Sequence, residues 1–83
     1  LFVFQTPGQY QFWMPDMHFP IDIIWIREGR IVGIEQNVSP VFDPKNPIFY
    51  SPPEPVLHVL EVNGGFTASE HIRMGDQVIF IGI

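Results

Sequence analysis

The stretch Phe12-Trp13-Met14-Pro15-Asp16-Met17-His18-Phe19-Pro20-Ile21-Asp22-Ile23-Ile24-Trp25-Ile26 decides the fold. Its two ends are apolar and aromatic runs of the kind found in β-strands, and its Pro-bounded middle predicts a loop. One acid, Asp22, lies inside the second run. An ionised carboxylate is costly in apolar surroundings, so Asp22 must reach water, accept several hydrogen bonds or titrate at a raised pKa. We expect it to be mostly buried and to accept at least one backbone N–H.

Composition limits the classes of protein to consider. A chain of 83 residues forms one domain with a thin core, and 46% hydrophobic and 14% aromatic residues exclude intrinsic disorder. The net charge of −5, with four scattered basic residues, argues against a nucleic-acid partner. This chain contains no apolar run long enough to span a membrane. Its zero cysteines exclude disulfides, thiolate zinc sites and thiol nucleophiles.

The hydrophobic pattern predicts a mainly β (α+β) domain with an antiparallel or mixed sheet and one short helix. Glu28-Gly29 predicts a hairpin turn. In the returning strand, strict alternation predicts that Ile31, Gly33 and Glu35 share one face. The last run is apolar on both faces, which predicts a central strand. We expect strands near residues 1–4, 10–14, 21–27, 30–36, 56–62 and 77–82, and a helix near 66–72.

Two further segments have distinct expectations. Residues 38–55 contain six prolines and predict one long loop, whose aromatic side chains should pack down onto the domain. Thr67-Ala68-Ser69-Glu70 has the form of a capping box, so Thr67 should cap the short helix and Glu70 should reach back to it.

Taken together, the placed motifs resemble the Domain of Unknown Function 192 family, also called uncharacterised protein family 0127. The resemblance implies a compact, barrel-like β fold with a small helix in a prokaryotic protein. It also implies an extracytoplasmic location, either periplasmic or secreted, often behind a signal sequence or membrane anchor. The matching segments are Leu1-Phe2-Val3-Phe4, Phe12-Trp13-Met14, Pro20-Ile21-Asp22-Ile23-Ile24-Trp25-Ile26, Gly29-Arg30-Ile31-Val32-Gly33-Ile34, Val59-Leu60-Glu61-Val62-Asn63-Gly64-Gly65-Phe66 and Ile72-Arg73-Met74-Gly75-Asp76-Gln77-Val78.

The chain departs from this family pattern in two ways. Pro15-Asp16-Met17 stands where the family usually has Lys-Asn-Thr, and the family has further strands upstream of Leu1. We therefore expect residues 1–83 to be a single domain that lacks upstream strands. Because four apolar residues are costly to leave in water, 1–4 should pair inside the sheet. The open edge beside them should promote a homo-oligomer, unless the chain is the remnant of a longer one.

Five residues are candidates for a ligand-binding site. Asp16, His18 and Asp22 offer two carboxylates and an imidazole, which are ordinary metal ligands, although the same residues also suit a solvated loop. Asp22 and Glu61 are either a pair of carboxylates for acid–base work or local acceptors for backbone N–H groups at the Pro20 bend and the 63–65 turn. Trp13 is either a recognition platform or part of the core.

These patterns favour a non-catalytic extracytoplasmic β module that binds a small ligand or a protein partner, without a cofactor. No nucleophile, acid and base converge, and no catalytic residue or metal ligand is assigned. Enzyme activity therefore stays an open question with the balance against it. The alternative is a small metal-assisted hydrolase or transferase that uses Asp16, His18 and Asp22. A purely structural domain is a third interpretation.

Overall fold

A computed structural model describes residues 1–8, 19–39, 45 and 49–81 of the chain. In these residues four strands form one antiparallel sheet in the order β1-β4-β2-β3, followed by one short helix. This confirms the mainly β prediction with one short helix. The elements are β1 (Phe2–Gly8), β2 (Ile21–Arg27), β3 (Arg30–Val38), β4 (Val56–Asn63) and α1 (Phe66–Ser69).

The four described strands do not close into a barrel. β1 and β3 are the two ends of the sheet order and do not pair with each other, so the expected barrel is wrong for this part of the chain. The expected strand at 10–14 lies outside the described residues. β1 pairs with β4, as expected, but it lies at an end of the described strand order, and Leu1 and Val3 are 50% and 61% exposed instead of covered. It also continues to Gly8 through an irregular register, beyond the predicted end near residue 4.

β2 is an inner strand that pairs with β4 and β3, and six consecutive residues from Ile21 to Ile26 are buried. Both of its faces are therefore covered. Alternate residues contribute to two separate clusters, which define the faces of the sheet. The first face carries Ile21, Ile23, Trp25 and Val59. The second face carries Ile24, Ile26, Ile31 and Leu60.

Two irregularities in the pairing of β2 with β3 change which side chains share a face. Ile26 is opposite Ile31 and Trp25 is opposite Gly33, so Val32 is an extra residue in β3. Ile31 and Ile34 consequently pack in the same second-face cluster, and the strict alternation predicted for β3 is wrong. The other irregularity lies between Ile21 and Ile23 and is described with the site below.

The predicted hairpin between β2 and β3 is confirmed. Glu28 and Gly29 have φ angles of 51° and 74°, and Arg27 pairs with Arg30 across the turn. Two successive positive φ values are the mark of a type I′ turn, whose twist matches that of the flanking strands.

The C-terminal segment is not the central strand that its apolar sequence predicts. Within its described part, only Gln77 forms a bridge, to Arg30. Ile79 and Ile81 are 72% and 87% exposed, which is incompatible with a central strand. The segment instead crosses the hairpin end of the second face, where the Val78 N–H donates to the Gly29 carbonyl (2.6 Å) and the Ile31 N–H to the Asp76 carbonyl (2.9 Å).

The long Pro-rich connection is shorter than predicted, because β3 continues to Val38. Of its aromatic residues, Tyr50 packs against the first-face core as expected, Phe49 is 50% exposed, and Phe42 lies outside the described residues. Pro53 contacts the first face at Gly33, where a Cβ would lie 3.0 Å from both the proline ring and Trp25.

Helix α1 is shorter than predicted, and its ends differ from the expected capping box. Its N-cap residue is Gly65, with φ 89° and no side-chain cap. At the other end His71 adopts a left-handed conformation (φ 55°), the His71 N–H donates to Ala68 O, and the Ile72 N–H donates to Thr67 O. These two bonds form a Schellman motif, which ends the helix and turns Ile72 into the second-face core.

This helix end makes His71 a test of the backbone geometry. We expect His71→Gly to be more stable than His71→Ala by about 1 kcal/mol, because an alanine Cβ is strained in the left-handed region and glycine is not. Urea unfolding of the two variants measures the difference directly. Equal stability of the two variants would contradict the described end of α1.

Candidate functional site

The carboxylate of Asp22 is fully buried and accepts four hydrogen bonds. Its Oδ1 accepts from the backbone N–H of Asn37 (2.9 Å) and of Gly65 (3.2 Å). Its Oδ2 accepts from the backbone N–H and from the hydroxyl of Thr67, at 2.9 and 2.7 Å. The predictions of burial and of at least one backbone donor are therefore confirmed. The donors are not those of the Pro20 bend.

Two segments are shaped to bring these donors to Asp22. In β3 the second irregularity places one extra residue between the partners of Ile21 and Ile23, and Asn37 has φ 52°. This bulge directs the Asn37 N–H at the carboxylate. After β4, Gly64 donates to the Pro20 carbonyl (2.9 Å). The packing there favours glycine, since a Cβ at Gly64 would lie only 3.0 Å from Pro20.

Thr67 does not cap the helix, as its sequence context predicts, but binds Asp22. Its side chain is fully buried, and its hydroxyl donates to Asp22. The hydroxyl oxygen in turn accepts from Nε2 of Gln36 at 3.2 Å. The Thr67 side chain thus links the β3 bulge to the Asp22 carboxylate instead of capping its own helix.

The hydrogen bonds determine the charge state of Asp22. Burial by itself would raise the pKa of this carboxyl, but the N–H groups of Asn37, Thr67 and Gly65 and the Thr67 hydroxyl stabilise the ionised form and hold the pKa below its usual value. Asp22 therefore contributes stability that is present above the pKa of an unfolded Asp. That stability is lost as the pH falls through the lower pKa of the folded state.

Glu61 lies on the other side of the sheet. Asp22 is opposite Val62 and Glu61 is opposite Ile23, so the two acids occupy adjacent register positions whose side chains alternate between the faces. The structure does not bring them together as an acid–base pair. The N–H groups of Gly64 and Gly65 in the 63–65 turn do not donate to Glu61, as one interpretation predicted, but to the Pro20 carbonyl and to Asp22. Burial raises the pKa of Glu61.

The remaining predicted site residues, Trp13, Asp16 and His18, lie outside the described residues. Within the described ranges no three His, Asp or Glu side chains converge in a way that would hold a metal ion. The contacts that sequence reasoning missed are the donors from Asn37, Gly65 and Thr67. One signal for them exists, because Asn tolerates positive φ and Gly-Gly marks a tight turn.

A pocket of about 300 Å³ opens on the second face, between the sheet and the C-terminal segment. Its floor is β-sheet, and its other side is formed by Ile72 and by the backbone-anchored segment around Val78. Phe80 packs against the same second-face cluster, and its ring centroid lies 4.4 Å from that of His58. The lining is predominantly apolar and consists of Ile24, Ile26, Ile31, Leu60, Ile72, Asp76, Gln77, Val78 and Ile79.

A family model described as DUF192, Uncharacterized ACR, matches residues 1–80. The chain belongs to the DUF192 family. This confirms the resemblance inferred from the strand motifs. The comparison with curated proteins gave no match.

A solved structure is similar to this DUF192 chain over most of its length. It is the crystal structure of a protein of unknown function from Novosphingobium aromaticivorans DSM 12444, with a TM-score of 0.74 and 35% sequence identity. The match covers 89% of this chain and 51% of that protein, so the chain spans about half of the length of the solved protein. Among the described helices, none is long and apolar enough to cross a membrane.

The buried carboxylate gives the first prediction from the site. We expect Asp22→Asn to destabilise the fold by roughly 3 kcal/mol, because an amide cannot accept from all four donors and each unpaired buried donor costs roughly 1–3 kcal/mol. The matched control is Glu61→Gln, the same chemical change on the neighbouring strand, which should cause no such loss. Urea unfolding at neutral pH compares them. Equal effects of the two changes would show that the Asp22 bonds are not stabilising.

The raised pKa of Glu61 gives a pH-dependent prediction. A group whose folded pKa is raised adds stability below its unfolded pKa, and that contribution is lost as the pH rises through the folded pKa. Glu61→Gln should therefore match the parent protein at about pH 3 and become the more stable of the two towards about pH 7. Thermal unfolding across this range measures the difference in stability between Glu61→Gln and the parent protein. A difference that shrinks with rising pH would contradict the effect of burial on the pKa of Glu61.

Proposed function

We propose that this domain is a non-catalytic binding module whose ligand is a small, predominantly apolar molecule held in the second-face pocket. The observation that carries this proposal is the pocket itself. Seven of its nine lining residues are aliphatic, and its volume of about 300 Å³ lies at the lower end of the range for small-molecule sites. That volume corresponds to roughly ten groups of the size of a water molecule.

The chemistry of Asp22 supports binding over catalysis. Both of its oxygens are engaged by four donors in the buried interior, and its lowered pKa makes it a poor proton donor or acceptor near neutral pH. The alternative, a metal-assisted hydrolase or transferase built on Asp16, His18 and Asp22, would have to break these bonds to use Asp22 as a ligand. A binding module requires no such rearrangement.

An extracytoplasmic location is part of the same proposal. It rests on the family resemblance, and a chain with zero cysteines is compatible with either redox environment. Fractionation of cells that express the full-length protein tests it. Recovery with periplasmic or secreted markers is expected, and recovery with cytosolic markers would contradict the location.

The binding proposal is tested with 1-octanol as the probe, since its eight-carbon chain suits a small apolar pocket. Titration followed by amide chemical shifts should show saturable binding, with the largest changes at residues that line the pocket. Ile79→Trp should weaken binding at least about fivefold, because the larger ring occupies the mouth, where Ile79 lines the pocket and is 72% exposed.

The matched control is Ile81→Trp, the same change at a residue that is 87% exposed and is not part of the pocket lining. It should leave the affinity for 1-octanol unchanged. Absence of saturable binding by the parent protein would contradict the proposed function. Equal weakening by both variants would place the bound octanol outside this pocket.

A further inference from the structure

The polar part of the pocket is concentrated in one segment. Of the nine lining residues, only Asp76 and Gln77 have polar side chains, and they are neighbours in the chain. Both are exposed, so they lie where the pocket meets solvent, whereas the sheet side is formed by buried residues such as Ile24 and Ile26. A ligand with an apolar body and one polar group would therefore place that polar group beside these two residues.

Asp76 is held in this position by its own turn. Its Oδ2 accepts from the Arg73 N–H at 2.8 Å, and its backbone carbonyl accepts from Ile31 at 2.9 Å. The carboxylate is thus held within its own turn by the Arg73 N–H, and the backbone carbonyl fixes that turn to β3 at Ile31. Its negative charge has a defined place at the mouth of the pocket.

The charges around the mouth favour one class of head group. The guanidinium of Arg30 donates to the carbonyl of Gly75, the residue before Asp76, at 3.2 Å. Neither Arg30 nor Arg73 lines the pocket. The chain as a whole carries a net charge of −5. A carboxylate on the ligand would meet the Asp76 carboxylate, whereas an ammonium or hydroxyl group would donate to it.

We propose that the pocket selects amphiphiles with an eight-carbon-sized apolar body and a hydrogen-bond-donating head group, cationic or neutral, and rejects the corresponding carboxylates. Asp76 is the residue that determines this specificity. This inference rests on the proposed function, because it names the ligand class of the same pocket.

Three probes that differ only in the head group test the inference: octylammonium, 1-octanol and octanoate, each titrated into the full chain at neutral pH. Octylammonium and 1-octanol should bind at least about fivefold more tightly than octanoate. Asp76→Asn keeps a side-chain oxygen that can accept from the Arg73 N–H, so the turn is retained. Asp76→Asn should reduce the ratio of 1-octanol affinity to octanoate affinity, and likewise that of octylammonium to octanoate, at least about threefold.

The control for overall charge is Glu70→Gln, which makes the same change at an exposed residue that does not line the pocket. It should leave the ratio unchanged. Octanoate binding as tightly as 1-octanol would overturn the inference while leaving the proposed function intact. An equal effect of Asp76→Asn and Glu70→Gln would also overturn it, because the preference would then come from net charge. Failure of all three probes to bind would contradict the proposed function itself.

Discussion

The structure depends on one buried carboxylate. Asp22 lies in β2, an inner strand of an apolar sheet, and it is stable there because four donors from two other segments surround it. The Asn37 and Thr67 donors lie 15 and 45 positions away in the sequence. A single side chain therefore fixes the β3 bulge and the β4–α1 turn relative to β2, at a place where apolar contacts alone give no defined geometry.

A series of local contacts connects Asp22 to the pocket. Thr67 is bound to Asp22, and its carbonyl accepts the Ile72 N–H that closes helix α1. Ile72 then packs in the second-face core and lines the pocket. The chain continues to Asp76 and Val78, which bond to the hairpin at Ile31 and Gly29. The pocket wall is thus anchored at one end by Asp22 and at the other by the hairpin.

The sequence predicted the parts of the fold that depend on local patterns. β2, the Glu28-Gly29 hairpin and the burial of Asp22 follow from apolar runs, turn residues and the cost of an isolated charge. The identity of the Asp22 donors does not follow, because a β-bulge and a long-range turn bring them together. The strand predicted at 77–82 is wrong for its described part, because Gln77 and Val78 bond to the hairpin residues Arg30 and Gly29 instead of entering the sheet. The pocket was missed because its lining comes from three strands and the C-terminal segment, which no local spacing connects.

The central claim is that Asp22 is an ionised structural anchor, and the most direct test is its own titration. Carbon-13 NMR of the labelled side-chain carboxyl, followed during acidification of the folded protein, measures the pKa without any substitution. The account predicts a pKa below about 3.9, the value of an unperturbed Asp, and loss of tertiary structure as this carboxyl becomes protonated. A pKa at or above that value in the folded protein, with the fold unchanged after protonation, would contradict the account.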